Sequence, residues 1–320
     1  MRTGAGAGAS EPVVKDDAAF AVRPRQRRRR PGKRAGQYVG VPFVLPSLVI
    51  LMVVVIIPIV MSLYFSMTQY SVLGSPTWVG TDNYTKLLND DAFAAALGNT
   101  VVYTLISVPL QTVIALLLAD VLARRFRNRF GAIVRSTLFI PVMSSLVVVG
   151  VVWRTILGTN DGAVNVFLEA FGLERVNFLG DPTLAIWVVG LVTVWKNIGY
   201  FLVIYYAGMM DVPAELYEAS GLDGAGRFGQ LWHVTIPSLR PVTLLVVILG
   251  TIWSFQVFDL VYVMTGGGPG GATTTIVMMI FRAGFQNFQM GYASAMAAVL
   301  FALILIIAVV QRKVLKSNED

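Results

Sequence analysis

Long apolar stretches dominate the chain, and short polar segments separate them. A helix that spans a bilayer needs about 20 predominantly apolar residues, and six stretches of this length occur. They are residues 42–63, 100–123, 136–157, 183–209, 242–265 and 290–311. We therefore predict an all-α, polytopic membrane protein with six transmembrane helices. The stretch 273–285 is shorter and contains Arg282, so we expect an interfacial or re-entrant helix there.

The composition excludes most classes of soluble enzyme. Hydrophobic residues make up 56% of the 320 residues and charged residues 13%, whereas soluble domains have about 25% charged residues. The absence of cysteine and the presence of a single histidine exclude a thiol nucleophile and nearly every zinc site. No G-x-x-x-x-G-K-[ST] sequence occurs, so the chain carries no nucleotide-binding loop of its own. We expect no metal, no cofactor and no catalytic residue.

The distribution of positive charge predicts the orientation of the spans. Ten Lys and Arg residues precede the first span, five lie in 124–135, two in 211–241 and three after the last span. The segments on the other side contain Lys86, Arg175 and Arg282, with Arg154 at a boundary. Positive residues are enriched in cytoplasmic loops. We therefore expect a multi-pass plasma-membrane protein with cytoplasmic N- and C-termini, in which 211–241 is the longest structured cytoplasmic loop.

Residues 1–35 differ from the rest of the chain. A Gly/Ala/Ser run is followed by an arginine-rich block without an apolar pattern, which is typical of a disordered segment. We predict a disordered basic cytoplasmic tail, followed by a membrane domain at 36–316. Arginine blocks also bind nucleic acid. Because a membrane span follows immediately here, we favour an anchor that contacts lipid and expect no nucleic-acid partner.

The loop 211–241 predicts two short helices joined by a glycine turn. We expect Asp211 to cap the first helix, Gly221 to end it and Asp223 to cap the second. The loop is more apolar than a solvated hairpin requires. One interpretation is a hairpin that lies on the membrane face, and the other is a rigid knob presented to a cytoplasmic partner.

One motif in this loop and a second one at 265–269 resemble those of a known family. Glu218-Ala219-Ser220, three residues, Gly224, nine residues and Val234-Thr235-Ile236-Pro237 match the spacing E-A-A, three, G, nine, I-x-L-P. The chain thus resembles the permease subunits of binding-protein-dependent ABC importers, with conservative departures at Ser220, Val234 and Ile236. The sequence Thr265-Gly-Gly-Gly-Pro269 is similar to the T-x-G-G-P element of the maltose-type subunit of carbohydrate importers. The resemblance covers about residues 40–315.

The resemblance implies a type I permease fold and a set of partners. In this family the motif forms a coupling helix that docks on a separate ATP-binding subunit, present in two copies. A second homologous permease subunit (or, less favoured, a second copy of the chain) completes the pathway, and an extracytoplasmic solute-binding protein delivers a sugar, a di- or oligosaccharide or related polyol. Hydrolysis takes place on the partner chains. The implied ATPase-coupling residues are Glu218, Ala219, Ser220, Gly221, Asp223 and Gly224.

Two charged residues lie within predicted spans. A lysine at the centre of a membrane helix costs roughly 2.5–3.5 kcal/mol, so we expect Lys196 to face the interior of the bundle. Asp259 is predicted within side-chain reach of it, and the two residues form a candidate pair. The alternative is an aspartate near the outer interface and a lysine bound to backbone carbonyl groups. An ion- or proton-coupled secondary transporter that uses these two residues is the alternative function.

The fourth and fifth spans are also rich in aromatic and polar residues. Aromatic faces and hydrogen-bonding groups together suit a sugar pathway. In the maltose permease, which the chain resembles, substrate contacts fall on these two helices. Alignment on Pro213 and on Thr265–Pro269 places them at Lys196, Asn197, Tyr200, Gly250, Trp253 and Ser254, and the residue type matches at Tyr200. The candidate substrate pathway is Lys196, Asn197, Tyr200, Gly250, Trp253, Ser254 and Asp259.

Overall fold

The computed structural model describes residues 41–71, 74–126 and 128–316. The predicted tail 1–35 lies outside the described residues. The described chain begins with α1 (Val41–Leu51), a π-helical turn (Met52–Ile56) and α2 (Ile57–Ser66). Strands β1 (Thr68–Gln69) and β2 (Thr77–Trp78) form a short antiparallel pair. They are followed by α3 (Asp82–Leu88) and the long α4 (Asp91–Arg125), whose first turn is capped by the Asp90 carboxylate through the amides of Ala92 and Phe93.

The middle of the chain contains a bent helix pair and a long unbroken helix. The pair consists of α5 (Arg129–Met143) and α6 (Leu146–Ile156), which meet at 97°. The short α7 (Ala163–Ala170) leads to α8 (Ala185–Met210). Asp181 accepts hydrogen bonds from Thr183 and from the amide of Leu184 at the entry to α8. These bonds hold the pKa of the Asp181 carboxyl below its ordinary value.

The last part of the chain is more irregular. The hairpin 211–241 contains α9 (Ala214–Leu222), α10 (Arg227–Gln230), a π-helical turn (Leu231–Thr235) and α11 (Ile236–Ser238). Then come α12 (Arg240–Phe255) and α13 (Asp259–Met264), followed by α14 (Ile276–Phe281) with a π-helical turn (Arg282–Gln286). The long α15 (Met290–Lys316) ends the described chain.

The helices account for the predicted spans. Within the described residues, four unbroken helical segments are long and apolar enough to cross a membrane: Phe43–Ser66, Asp91–Arg125, Ala185–Met210 and Met290–Val314. The pairs Arg129–Met143 with Leu146–Ile156, and Arg227–Ser238 with Arg240–Phe255, qualify if each bent pair is one span. The prediction of an all-α, six-span protein is confirmed. The segment Ile276–Gln286 is too short to span.

Two predicted spans are wrong in detail. The third span, expected as one helix over 136–157, breaks at Ser144 and Ser145, because both residues adopt an extended backbone. The fifth span, expected at 242–265, ends at Phe255, and α13 follows as a separate helix. At that break the Thr275 hydroxyl donates a hydrogen bond to the carbonyl oxygen of Val257 at 3.0 Å. A backbone group freed by the break is thereby satisfied.

Helix α4 packs along α8 and connects two functional regions. Ala115 and Ala119 of α4 lie in one buried cluster with Phe201 and Tyr205 of α8, as expected for membrane helices that approach through small residues. Nearer the N-terminal end of α4, the Tyr103 hydroxyl bonds the Thr193 hydroxyl at 2.6 Å. At the C-terminal end of α4, Arg124 bonds Gln230 of the hairpin 211–241, and nearer the N-terminal end, Asn99 bonds Gly271 of the glycine loop 266–271.

Candidate functional site

The turn of the hairpin has a defined backbone geometry. Helix α9 ends at Leu222, and Gly224 adopts a φ of 81°. The Gly224 amide donates to the carbonyl of Gly221 at 3.1 Å, and the Ala225 amide donates to the carbonyl of Ser220 at 2.9 Å. This pair of bonds is the Schellman arrangement that closes many helix C-termini. A positive φ favours glycine, which explains the glycine at this position of the motif.

Three capping predictions are wrong. Asp211 follows the last residue of α8, and Pro213 occupies the position before α9 without a side-chain cap. Gly221 lies inside α9 rather than at its end, and Asp223 closes α9 instead of capping α10. The residue before α10 is Gly226, again without a side-chain cap. In the Schellman turn, the backbone amides of Gly224 and Ala225 satisfy carbonyl groups at the end of α9. Asp223 is therefore the C-cap residue of α9 and not the N-cap residue of α10.

The hairpin presents its motif and a set of apolar side chains to the surroundings. Glu218, Ala219, Gly221, Asp223 and Gly224 are exposed, and Ser220 is half-buried. Three large apolar side chains beside them are also exposed, Leu222 by 91%, Phe228 by 86% and Trp232 by 68%. Apolar side chains that cluster on a surface among charged residues are typical of an interaction site. This end of the chain is therefore a candidate contact surface.

An arginine at the end of α4 holds the hairpin. Arg124 donates from Nε to the Asp120 carboxylate at 2.6 Å, from Nη1 to Gln230 Oε1 at 2.9 Å and from Nη2 to Thr235 Oγ1 at 2.5 Å. Its guanidinium also lies 4.8 Å from the centre of the Tyr217 ring. We call Arg124, Asp120, Tyr217, Gln230 and Thr235 the clasp.

The candidate substrate pathway brings aromatic residues of α8 and α12 together. The rings of Tyr200 and Trp253 are 4.9 Å apart, and Phe201 lies 5.5 Å from Trp253. Ser254, the next residue after Trp253, is buried, and Asn197 is half-buried on α8. The structure thus brings the predicted Tyr200 and Trp253 into contact, and the predicted polar residues Asn197 and Ser254 lie on the same two helices.

Gly250 has a packing role in this structure. It is buried on α12, and a Cβ atom at this position would meet the Gln111 amide and lie 3.6 Å from Val108. Gly250 therefore allows α12 to approach α4 closely. Gln111 is 1% exposed, and its Oε1 has no hydrogen-bond partner among the described residues.

Lys196 and Asp259 do not form an ion pair in this structure. Lys196 is 8% exposed, and its Nζ donates to the carbonyl oxygen of Val142 at 3.4 Å. Val142 lies in the last turn of α5, where helix carbonyls lack intrahelical partners and favour a cation. Asp259 begins α13, and among the described residues its carboxylate makes no ion pair with Lys196. The lysine bound to a backbone carbonyl, considered as the alternative, is therefore the arrangement found.

The second motif forms a folded glycine loop. The hydroxyls of Thr265 and Thr273 are 2.7 Å apart, and Arg282 Nη2 donates to the Gly266 carbonyl at 2.6 Å. Gly267 has a φ of 85°, and a Cβ there would meet Arg282 and Thr274. Asn99 of α4 donates to the carbonyls of Gly271 and Thr274. The glycines of this motif are explained by close packing against polar side chains and by backbone conformation.

Comparison with known proteins identifies the family. Residues 91–317 match the family described as binding-protein-dependent transport system inner membrane component. The chain belongs to this family. It is therefore an ABC permease chain and a multi-pass membrane protein of the plasma membrane. The hairpin, the glycine loop and α8 and α12 all fall within the matched residues.

Several relatives of this permease cover almost its whole length. The trehalose/maltose transport system permease protein MalF of Thermococcus litoralis is 32% identical over 284 residues, 88% of this chain and 95% of the relative. The arabinooligosaccharides transport system permease protein AraP of Bacillus subtilis is 32% identical over 288 residues, 88% of each chain. A crystal structure of a bacterial ABC transporter that imports the acidic polysaccharide alginate has the same fold, with a TM-score of 0.78. It is 22% identical and covers 88% of this chain and 96% of that one.

Sequence reasoning missed two residues of this permease. Gln111 is a polar residue within the predicted second span, and an intramembrane polar residue is a signal of a functional site. Arg124 had no such signal, because it lies in a basic loop segment where positive charge is expected for topology alone.

Proposed function

We propose that this chain is the permease subunit of an ABC importer that translocates a sugar, a di- or oligosaccharide or related polyol. An extracytoplasmic binding protein delivers the sugar, and ATP hydrolysis on two partner subunits drives the transport. A second homologous permease chain completes the pathway. The observation that carries the proposal is the hairpin, in which the family spacing from Glu218 to Pro237 coincides with an ordered turn and an exposed apolar surface.

The surface of the hairpin supports an ATPase as the docking partner. Leu222 and Phe228 are almost fully exposed on either side of the turn, and they lie among the charged residues Glu218, Asp223 and Arg227. Apolar side chains surrounded by polar ones are the usual composition of a protein contact. In the proposed orientation this end of the bundle and both termini are cytoplasmic, which places the hairpin where ATP is available.

The aromatic contact between α8 and α12 supports a sugar as the substrate. Tyr200 and Trp253 provide ring faces, and Asn197 on α8 and Ser254 on α12 provide hydrogen-bonding groups within one helical turn of them in sequence. A ligand site with apolar faces and a few oriented polar groups binds a molecule that has both C–H surfaces and hydroxyls. The substrates for which the relatives are named, trehalose and maltose or arabinooligosaccharides, agree with this chemistry.

The connection between the hairpin and α12 supports the proposed mechanism. Thr235 is buried, and only the short α11 separates it from α12, which carries Trp253. When the ATPase pair closes on ATP, it displaces the hairpin and with it the start of α12. The helices then rearrange from an inward-open to an outward-open pathway, and sugar released by the binding protein enters between α8 and α12.

The test reverses one charge on the proposed docking surface. We expect Glu218→Lys to abolish import while the chain still inserts in the membrane, because the reversed charge lies within the contact. Glu215→Lys is the matched control, since Glu215 is also exposed and lies one turn earlier on α9. Normal import by Glu218→Lys would refute the proposed coupling role.

The driving force is tested separately. Import should vanish when the cognate ATPase subunits are deleted, and it should continue when the proton gradient is dissipated while ATP is maintained. The opposite pair of results would instead favour an ion- or proton-coupled transporter.

A further inference from the structure

The clasp joins two parts of the chain that are far apart in sequence. Arg124 lies in the last turn of α4, whereas Gln230 and Thr235 are 106 and 111 residues further along, in the second half of the hairpin. Tyr217 adds the first half of the hairpin, because Gln230 Nε2 donates to its carbonyl at 3.1 Å and its hydroxyl lies 3.2 Å from Thr235 Oγ1. Both arms of the hairpin are thus held at one point of α4.

We propose that Arg124 is a positioning residue that transmits movement of the hairpin to α4, so that ATP hydrolysis is coupled to rearrangement of the substrate pathway. This inference rests on the proposed function. Neither family motif contains Arg124, which precedes the signature by more than ninety residues along the chain. The clasp is a second connection from the hairpin into the bundle, in addition to the direct connection into α12.

The chemistry of the clasp requires an arginine. A guanidinium presents several N–H donors in a fixed planar fork, and here Nε, Nη1 and Nη2 each serve a different partner. Asp120, one helical turn earlier on α4, fixes the orientation of the fork through a charge-assisted bond. A lysine ammonium is a single point charge on a flexible stem, so it could retain one of these contacts without holding both arms of the hairpin.

The clasp lies at a cavity between the hairpin and the rest of the bundle. A cavity of about 540 Å³ lies between the hairpin and the ends of α4 and α8, and its lining includes Tyr217, Gln230 and Met209. Arg124, Asp120, Tyr217 and Gln230 of the clasp all line this cavity. Beside it, the Arg124 bonds join α4 to the second half of the hairpin. Because of these bonds, α4 cannot stay in place when the hairpin is displaced.

Helix α4 is positioned to pass the movement on. It contacts α12 through Gln111 and Val108, which lie against Gly250, three residues before Trp253. It contacts α8 through the bond between Tyr103 and Thr193. A shift of the Arg124 end of α4 therefore reaches both helices that carry the proposed sugar contacts.

The experiment compares two neighbouring arginines in the assembled importer. Arg124→Gln removes the clasp. Arg125→Gln removes the same charge from the same helix end, but the Arg125 side chain is exposed and makes none of the hydrogen bonds or ion pairs of the described residues. Import rate, ATP hydrolysis stimulated by loaded binding protein, and cross-linking of the hairpin to the ATPase are measured for each.

We expect Arg124→Gln to keep ATP hydrolysis and cross-linking but to lower the sugar imported per ATP by about tenfold or more, and Arg125→Gln to match the parent chain. An unchanged ratio of import to hydrolysis in Arg124→Gln would overturn the inference. Parallel loss of import, hydrolysis and cross-linking would also overturn it, because the residue would then only hold the fold.

Gln230→Met is a second variant that tests the inference if Arg124→Gln fails to fold. It removes one acceptor on the hairpin and leaves the bond between Arg124 and Asp120 in place, so a smaller loss in the same ratio is expected, and an unchanged ratio would count against the clasp. Failure of the proposed function is recognised independently: the parent chain would then import without an ATPase. If the parent needs the ATPase and both variants stay coupled, the clasp alone is refuted.

Discussion

The turn after α9 allows a prediction whose magnitude comes from backbone geometry alone. Gly224 has a φ of 81°, and a Cβ there would meet no atom within 4 Å. Gly224→Ala therefore introduces no clash, and its cost is that of an L-residue in the left-handed region, about 1–2 kcal/mol. This corresponds to a factor of roughly 5–30 in an equilibrium constant. We expect the affinity of the ATPase for the assembled permease to fall by up to this factor.

The matched control lies two residues further along. Gly226 has a φ of −69°, and a Cβ there would likewise meet no atom within 4 Å, so Gly226→Ala should leave the affinity unchanged. Binding of the purified ATPase to the permease in lipid nanodiscs measures both variants, and Gly224→Asn should lie between them because Asn tolerates the left-handed region. Equal affinities for the two alanine variants would refute the argument that the turn geometry matters for docking.

Two further predictions concern the pathway. Trp253→Leu removes the ring that contacts Tyr200 and should raise the KM for sugar import by about 2–10-fold, as expected for an aromatic contact worth about 0.5–1.5 kcal/mol. Trp253→Phe should retain most of the affinity. An unchanged KM in the leucine variant would show that Trp253 does not belong to the pathway. Lys196→Met removes a buried ammonium whose partner is the Val142 carbonyl. The thermal stability of the detergent-solubilised chain should therefore not decrease, while import should fall. A large loss of stability would show that Lys196 acts chiefly as a structural anchor.

Much of the fold could be predicted from sequence because its signals are local. Hydropathy over about 20 residues identified the six spans. The spacing from Glu218 to Pro237 identified the hairpin, although its caps were assigned to the wrong aspartates. The turn satisfies its helix end with backbone amides of Gly224 and Ala225, and a side-chain capping rule does not detect that solution.

The features that sequence did not predict depend on contacts between distant segments. The break of the third span exposes the Val142 carbonyl to Lys196, which is 54 residues away. The break of the fifth span is stabilised by Thr275, 18 residues from Val257. The Arg124 contacts span more than 100 residues. None of these pairings follows from periodicity or composition, because each requires the helices to be already packed.

The most direct test of the proposed function determines on which side of the membrane the hairpin lies and which protein it contacts there. The chain has no cysteine, so Leu222→Cys, at a position that is almost fully exposed, provides a single reactive thiol. We predict that a membrane-impermeant maleimide labels it in inside-out vesicles and not in intact cells, and that a short cross-linker joins it to the ATPase subunit. Labelling from the outside of intact cells, or no ATPase among the cross-linked products, would contradict the account.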